Sequence, residues 1–155
     1  MDRFGTRMTK GVLPRETEDV AHQIIGCAIE VHRELGPGLL EKLYEDALVY
    51  ELRESGLTVA QQVEIVLPYK KTELRGQRID IVVESQIVLE LKSIAQISDL
   101  HKAQLLSYLR AARLPLGLLI NFNITVLKNG LTRILNERAI PASPSCSSRP
   151  SCSKI

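Results

Sequence analysis

Cysteine is scarce in this chain, and no stretch is apolar enough to suggest a membrane protein. The three cysteines, Cys27, Cys146 and Cys152, form no CxxC pair and provide no disulfide framework. A reducing cytoplasm is therefore the expected compartment. No segment approaches the ~20 apolar residues that a membrane span requires, and residues 1–20 lack the apolar core of a signal peptide. We therefore predict no association with a membrane.

A strong charge of either sign is also absent. The formal net charge is +2, so no global basic field indicates a nucleic-acid partner. A negatively charged ligand would need local cationic patches instead. With 155 residues, 45% of them hydrophobic and 25% charged, the composition is that of a globular protein. The length suits one domain with a real core.

The first half of the chain predicts two helices. Apolar residues recur at 3.6-residue spacing from Thr17 to Leu35, and Gly36-Pro37 then stops the first helix. A second apolar stripe at helical spacing follows Gly38 and ends at Gly56. From Thr58 the period changes to two, which is typical of strands.

The second half predicts strands and one further helix. Residues 68–77 are expected to form a turn or loop, and Asn129-Gly130 marks a final hairpin turn. Strands are predicted at 58–67, 77–84, 86–92 and 116–122, and a helix with Ser98 as its N-cap at 98–112. A strand, a helix and another strand imply a right-handed parallel crossover.

These elements predict one α/β (α+β) domain with a mixed sheet flanked by helices. We place the domain at residues 16–138, after a flexible N-terminal segment at 1–15. The Ser/Pro-rich residues 139–155 are expected to be disordered.

Three charged residues lie in strands that are otherwise strongly apolar. Alternation puts Asp80 on one face of its strand, and Glu90 and Lys92 share a face of the next. Two close carboxylates repel unless they are protonated or bridged by a cation, for which Mg²⁺ is suited. Lys92 could then orient a water or stabilise negative charge during phosphodiester attack. A surface ion pair on a solvated sheet face explains the three residues equally well.

Three further groups of polar residues add candidates. His101, Gln104 and Tyr108 share one face of the third predicted helix, and Glu41 and Tyr44 share a face of the second. Each also has a plain interpretation, since Glu41 suits the helix dipole and Tyr44 could be core. A basic stretch could track a phosphate backbone or be a solvated loop; it comprises Lys70, Lys71, Arg75 and Arg78.

Several stretches resemble the GxxExxY protein family. Gly38-x-x-Glu41-x-x-Tyr44 matches its naming motif, and three further blocks occur in the right order: "IDIVV…IVLELKS", "HKAQLLSYL" and "GLLINF". The resemblance covers approximately residues 17–135. It implies the PD-(D/E)XK nuclease-like superfamily, with a restriction-endonuclease-like α-β-β-β-α-β core. Ile79 stands where the superfamily name expects proline.

By position, the resemblance implies functional residues and a cofactor. Asp80, Glu90, Lys92 and Glu41 become the catalytic candidates, with Asp80, Glu90 and Glu41 as ligands of Mg²⁺ or Mn²⁺. Gln104 and Tyr108 resemble a Gln-x-x-x-Tyr element that contacts nucleic acid in related enzymes. The substrate-binding candidates are Gln104, Tyr108, Tyr44 and His101.

The favoured hypothesis is a Mg²⁺-dependent nuclease that acts on DNA in preference to RNA. The alternative is a non-catalytic module that binds nucleic acid or protein and keeps the nuclease fold. A third hypothesis is a subunit that becomes active only in a complex. Free sheet edges make a homodimer plausible.

Overall fold

The computed structural model describes residues 12–141, which form eight main elements in the predicted order. Three helices and five strands are α1 (Arg15–Leu35), α2 (Glu41–Glu54), β1 (Val59–Tyr69), β2 (Thr72–Val83), β3 (Ile87–Lys92), α3 (Asp99–Ala112), β4 (Leu116–Asn121) and β5 (Leu131–Leu135). Residues 1–11 and 142–155 lie outside the described range. They include most of the segments predicted to be flexible or disordered, and Cys146 and Cys152.

The five strands form one mixed sheet in the order β1-β2-β3-β4-β5. β3 and β4 are parallel, and all other neighbouring strands are antiparallel. The parallel pair is connected through α3, as the strand–helix–strand pattern predicts. The mixed sheet with flanking helices confirms the predicted fold class.

Two hydrophobic clusters occupy opposite faces of the sheet. The larger cluster packs α1 and α2 against residues such as Ile81, Leu89 and Leu91. The smaller cluster packs Leu105 and Tyr108 of α3 against the other face. Residues in β3 alternate between the clusters, so Val88 joins the α3 side while Leu89 joins the α1–α2 side. Glu90 and Lys92 follow Val88 at two-residue spacing and therefore belong to the α3 side.

Two predicted connections differ in the structure. Residues 68–77 were expected to be a turn or loop, but they belong to the outer ends of β1 and β2, joined by a turn at Lys70 and Lys71. Both faces of this segment are exposed, so its sequence lacks the apolar alternation of a half-buried strand. Asn129-Gly130 ends a 3₁₀-helix, Leu127–Gly130, instead of forming a two-residue hairpin turn.

Candidate active site

The candidate site lies where β2 separates from β3. Backbone pairing of these strands covers only Ile81–Val83 against Ile87–Leu89. Beyond it, the Leu91 N–H donates to Asp80 Oδ2 at 2.9 Å. β3 nevertheless continues to Lys92 beside β4. We call the side chains of Asp80, Glu90 and Lys92 at this opening the strand fork.

Glu90 is the residue of the strand fork whose carboxyl group has the least favourable surroundings for a negative charge. The residue is only 6% exposed, and its Oε2 atom is buried without a hydrogen-bond partner. Burial raises the pKa of Glu90 to about 8, and the neighbouring Asp80 and Glu41 charges add to the rise. Lys92 opposes it, with its Nζ 3.9 Å from Glu90 Oε1. Lys92 alone therefore does not offset the cost of ionising Glu90 in this pocket.

Asp80 lies in a similar environment on the facing strand. Burial raises the pKa of Asp80, whereas the hydrogen bond from Leu91 lowers it. The Glu45 charge raises it further, and the ammonium of Lys92 lowers it. Asp80 and Glu90 thus form the crowded carboxylate pair that two-residue alternation predicts.

Glu41 approaches the strand fork from the first turn of α2. The start of this helix is tied to the end of β3, because Ser93 Oγ donates to the Leu39 carbonyl at 2.7 Å. Burial raises the pKa of Glu41, the positive charge of Lys92 lowers it, and Asp80 raises it again. Glu41 is therefore within electrostatic reach of the fork, and its role as a metal ligand stays a prediction from the motif.

A second buried carboxylate on α2 was missed from the sequence. Glu45 lies one turn after Glu41, is buried, and accepts hydrogen bonds from Gln61 Nε2 at 3.2 Å and Gln62 Nε2 at 3.1 Å. The Gln62 side chain also lies close to Asp80 and lowers its pKa, and the Gln62 backbone has a φ of 51°. Gln62 thus links α2 to the fork. The i, i+4 spacing from Glu41 was the available signal.

On the opposite side, α3 brings Tyr108 to the strand fork. Burial raises the pKa of Tyr108, and the Glu90 and Asp80 charges raise it further, which places its hydroxyl near both. The Gln77 amide donates a hydrogen bond to that hydroxyl. Gln104 is half-buried and lies close to the same hydroxyl, beside the fork.

Tyr44 and His101, the other two predicted substrate-binding residues, make contacts within the fold. Tyr44 is 0% exposed, stacks on Phe122 at 4.5 Å, and donates from its hydroxyl to the Gly36 carbonyl at 2.5 Å. It has no surface to offer a substrate here, so the core interpretation fits. His101 Nδ1 accepts the Ser98 N–H at 2.9 Å and completes the capping box of α3.

The donor set fits a divalent cation. Within residues 12–141, no three or more His, Cys, Asp or Glu side chains form a group arranged for a metal ion. The predicted trio of Asp80, Glu90 and Glu41 is therefore not a ready-made three-carboxylate site. Mg²⁺ typically needs only one or two protein carboxylates. In the part of the chain that the structure describes, Glu90 Oε2 is the one buried side-chain N or O atom without a hydrogen-bond partner, and with the neighbouring Asp80 it offers oxygen ligands to such an ion.

Comparison with known families identifies the class of protein. The family model of the PD-(D/E)XK nuclease superfamily matches residues 18–134. The chain belongs to the PD-(D/E)XK nuclease superfamily. This match does not by itself identify the GxxExxY family, so the narrower resemblance stays a prediction from its motif. Comparison with curated proteins and with solved structures found no significant match. None of the helices within residues 12–141 combines the length and apolarity needed to cross a bilayer.

Proposed function

We propose that the protein is a metal-dependent nuclease that hydrolyses phosphodiester bonds of nucleic acid, DNA in preference to RNA. Membership of a nuclease superfamily supports this proposal. The observation that carries it is the strand fork. There the buried Glu90 lies beside Asp80, its Oε1 is 3.9 Å from Lys92 Nζ, and its Oε2 has no hydrogen-bond partner. An ordinary surface ion pair would leave neither a buried oxygen without a partner nor a carboxyl pKa of about 8.

In this proposal Asp80 and Glu90 hold Mg²⁺ or Mn²⁺, with Glu41 as a further carboxylate ligand. When bound, the ion supplies Lewis-acid stabilisation of the phosphate and activation of water. Lys92, whose side chain is 18% exposed, orients the attacking water and offsets negative charge on the phosphate. Gln104 contacts the nucleic acid beside the fork. Tyr108 holds Gln77 in place, since its hydroxyl accepts a hydrogen bond from the Gln77 amide, and Gln104 lies close to the same hydroxyl.

Cleavage assays test the proposal directly. Labelled single- and double-stranded DNA and RNA are incubated with Mg²⁺ or Mn²⁺ and wild type, Asp80→Ala or Lys92→Ala. We expect cleavage by wild type, and a loss of about 10²–10³-fold in each variant, the usual cost of removing one group that stabilises developing charge. Glu137→Gln and Lys128→Gln, which change exposed residues outside the site, serve as matched controls.

Two results would contradict the proposal. Cleavage that survives both Asp80→Ala and Lys92→Ala would come from a contaminant or from another site. Tight nucleic-acid binding without turnover in either metal would favour the non-catalytic module instead. The predicted homodimer receives no support from the structure, which describes one chain.

A further inference from the structure

The outer end of the β1–β2 hairpin stands apart from the rest of the fold. All residues from Pro68 to Arg78 are exposed, although most of them are paired as strand. β3 pairs with β2 only at Ile81–Val83, so this outer end has β1 as its single neighbour. We call residues 68–78 the ribbon.

The ribbon is not stabilised by burial of its residues against the rest of the chain. A two-stranded ribbon without a covered face is marginal in water. It is anchored at its base, where Ile65 packs in the α3 cluster and Gln77 contacts Tyr108. Further out, Tyr69 and Leu74 are 53% and 48% exposed. A contact outside this chain would supply the missing partner for these surfaces.

The charge of the ribbon indicates the chemistry of that partner. Its four cations are Lys70, Lys71, Arg75 and Arg78, against one carboxylate, Glu73, so its net charge of +3 exceeds the +2 of the entire chain. Arg75 is paired with Glu73 at 3.2 Å and with Glu64 at 3.8 Å. The other three cations form no ion pair among residues 12–141, so they are available for an anionic partner.

The ribbon begins next to the strand fork, so a partner bound to the ribbon would lie close to the fork. Arg78 lies two residues before Asp80 on β2, so the ribbon begins directly beside the fork. At about 3.4 Å per residue, Thr72 to Arg78 spans about 20 Å. The major groove of B-form DNA admits a two-stranded ribbon, whereas the deep, narrow major groove of duplex RNA does not.

We infer that the ribbon enters the major groove of duplex DNA and holds the duplex with one strand at the fork, an inference that rests on the proposed function. Lys70 and Lys71 at the turn and Arg78 at the base contact the phosphates that border the groove. The ribbon thereby selects double-stranded DNA over single strands and over duplex RNA.

Binding measured in EDTA, where no cleavage is expected, tests the ribbon separately from catalysis. The probes are a fluorescent DNA duplex of about 20 base pairs, which is about two helical turns, its single strand and the same-sequence RNA duplex. Wild type is compared with K70Q/K71Q by anisotropy across a salt series. The control K128Q/R138Q removes two exposed cations outside the ribbon. Matching thermal melts show that all variants are folded.

We expect wild type to prefer duplex DNA, and K70Q/K71Q to lose that preference. The slope of log affinity against log salt should fall by about 2, at about 0.9 per lost phosphate contact. Fourfold more salt would then weaken wild type about tenfold more than the variant. The control should behave as wild type.

Three results would overturn the inference: duplex binding by K70Q/K71Q equal to wild type, equal wild-type affinity for single strands or duplex RNA, or ribbon-dependent binding of a poly-glutamate peptide, which would indicate an acidic protein partner. Failure of the proposed function gives a different pattern. Ribbon-dependent duplex binding without cleavage in Mg²⁺ or Mn²⁺ would reject the nuclease and leave the ribbon's role standing.

Discussion

Replacing Glu90 by glutamine should make the metal-free protein more stable at alkaline pH. Glu90 has a pKa of about 8 in the folded protein, against an ordinary value of 4.5. Because the folded value is raised, the folded protein keeps a proton that the unfolded chain releases between these two values. The free energy of unfolding of wild type therefore falls as pH rises from 4.5 to about 8, and levels off above it.

The magnitude follows from the size of the pKa difference. At 1.36 kcal/mol per unit, a rise from 4.5 to about 8 corresponds to a loss on the order of 5 kcal/mol across this window. Glutamine has nearly the same shape and carries no charge, so Glu90→Gln lacks this loss. Below the window both proteins have a neutral group at this position and should have similar stability.

Urea unfolding in EDTA at about pH 5 and at about pH 9 measures this loss of stability. These two pH values enclose most of the window. We expect Glu90→Gln to match wild type at the lower pH and to exceed it by several kcal/mol at the higher pH. Glu137→Gln, at an exposed carboxylate, is the control and should follow wild type at both. Parallel pH profiles for wild type and Glu90→Gln would refute the reasoning, because Glu90 would then ionise as freely folded as unfolded.

Three further substitutions test the surroundings of the site by urea unfolding. Tyr44→Phe removes the hydroxyl that donates to the Gly36 carbonyl at 2.5 Å. It should cost about 1–2 kcal/mol while cleavage per folded molecule stays unchanged. Gly117→Ala brings a Cβ to 2.9 Å from Leu105 Cγ, and overpacking of this kind should cost about 1–3 kcal/mol. Ser98→Ala removes the N-cap of α3 and should cost about 0.5–1 kcal/mol.

Each of these predictions has an outcome that contradicts it. A tenfold or larger fall in cleavage by folded Tyr44→Phe would restore the role in substrate binding that its motif suggests. The cost of Gly117→Ala should largely disappear in a Leu105→Ala background, and an equal cost in both would mean that the two residues are not in conflict. Unchanged stability of Ser98→Ala would show that the capping box does not stabilise α3.

Elements with one buried face could be predicted from the sequence, because burial imposes a period. The helices and the inner parts of β1 and β2 show this period. β3 and β4 are buried on both faces and were predictable as mainly apolar runs of strand length. The order of the elements gives the mixed sheet with a parallel crossover. The ribbon has no covered face, so solvent imposes no alternation on it, and its residues resemble a loop.

Asn129-Gly130 was misleading for a different reason. A two-residue hairpin turn needs a positive φ at its central residues, but neither Asn129 nor Gly130 has one in the 3₁₀-helix. The glycine instead allows close approach to the Asn121 carbonyl, with which a Cβ would clash.

The candidate site was predictable where its residues follow the strand period or the spacing of a helix face, as Glu41, Gln104 and Tyr108 do. Asp80, Glu90 and Lys92 come together because alternation places them on one side of neighbouring strands. The contact of Glu45 with Gln62 depends instead on how α2 packs over β1 and on the positive φ at Gln62. No local sequence pattern predicts either feature.

The most direct test of the account is a Mn²⁺ titration followed by electron paramagnetic resonance, in which bound and free ions differ. Wild type should bind Mn²⁺, and Mg²⁺ should compete for the same site. Glu90→Gln should lose this binding, whereas Glu137→Gln should retain it. Equal Mn²⁺ binding by wild type and Glu90→Gln, or none by wild type, would contradict the claim that the carboxylates at the strand fork form a divalent-cation site.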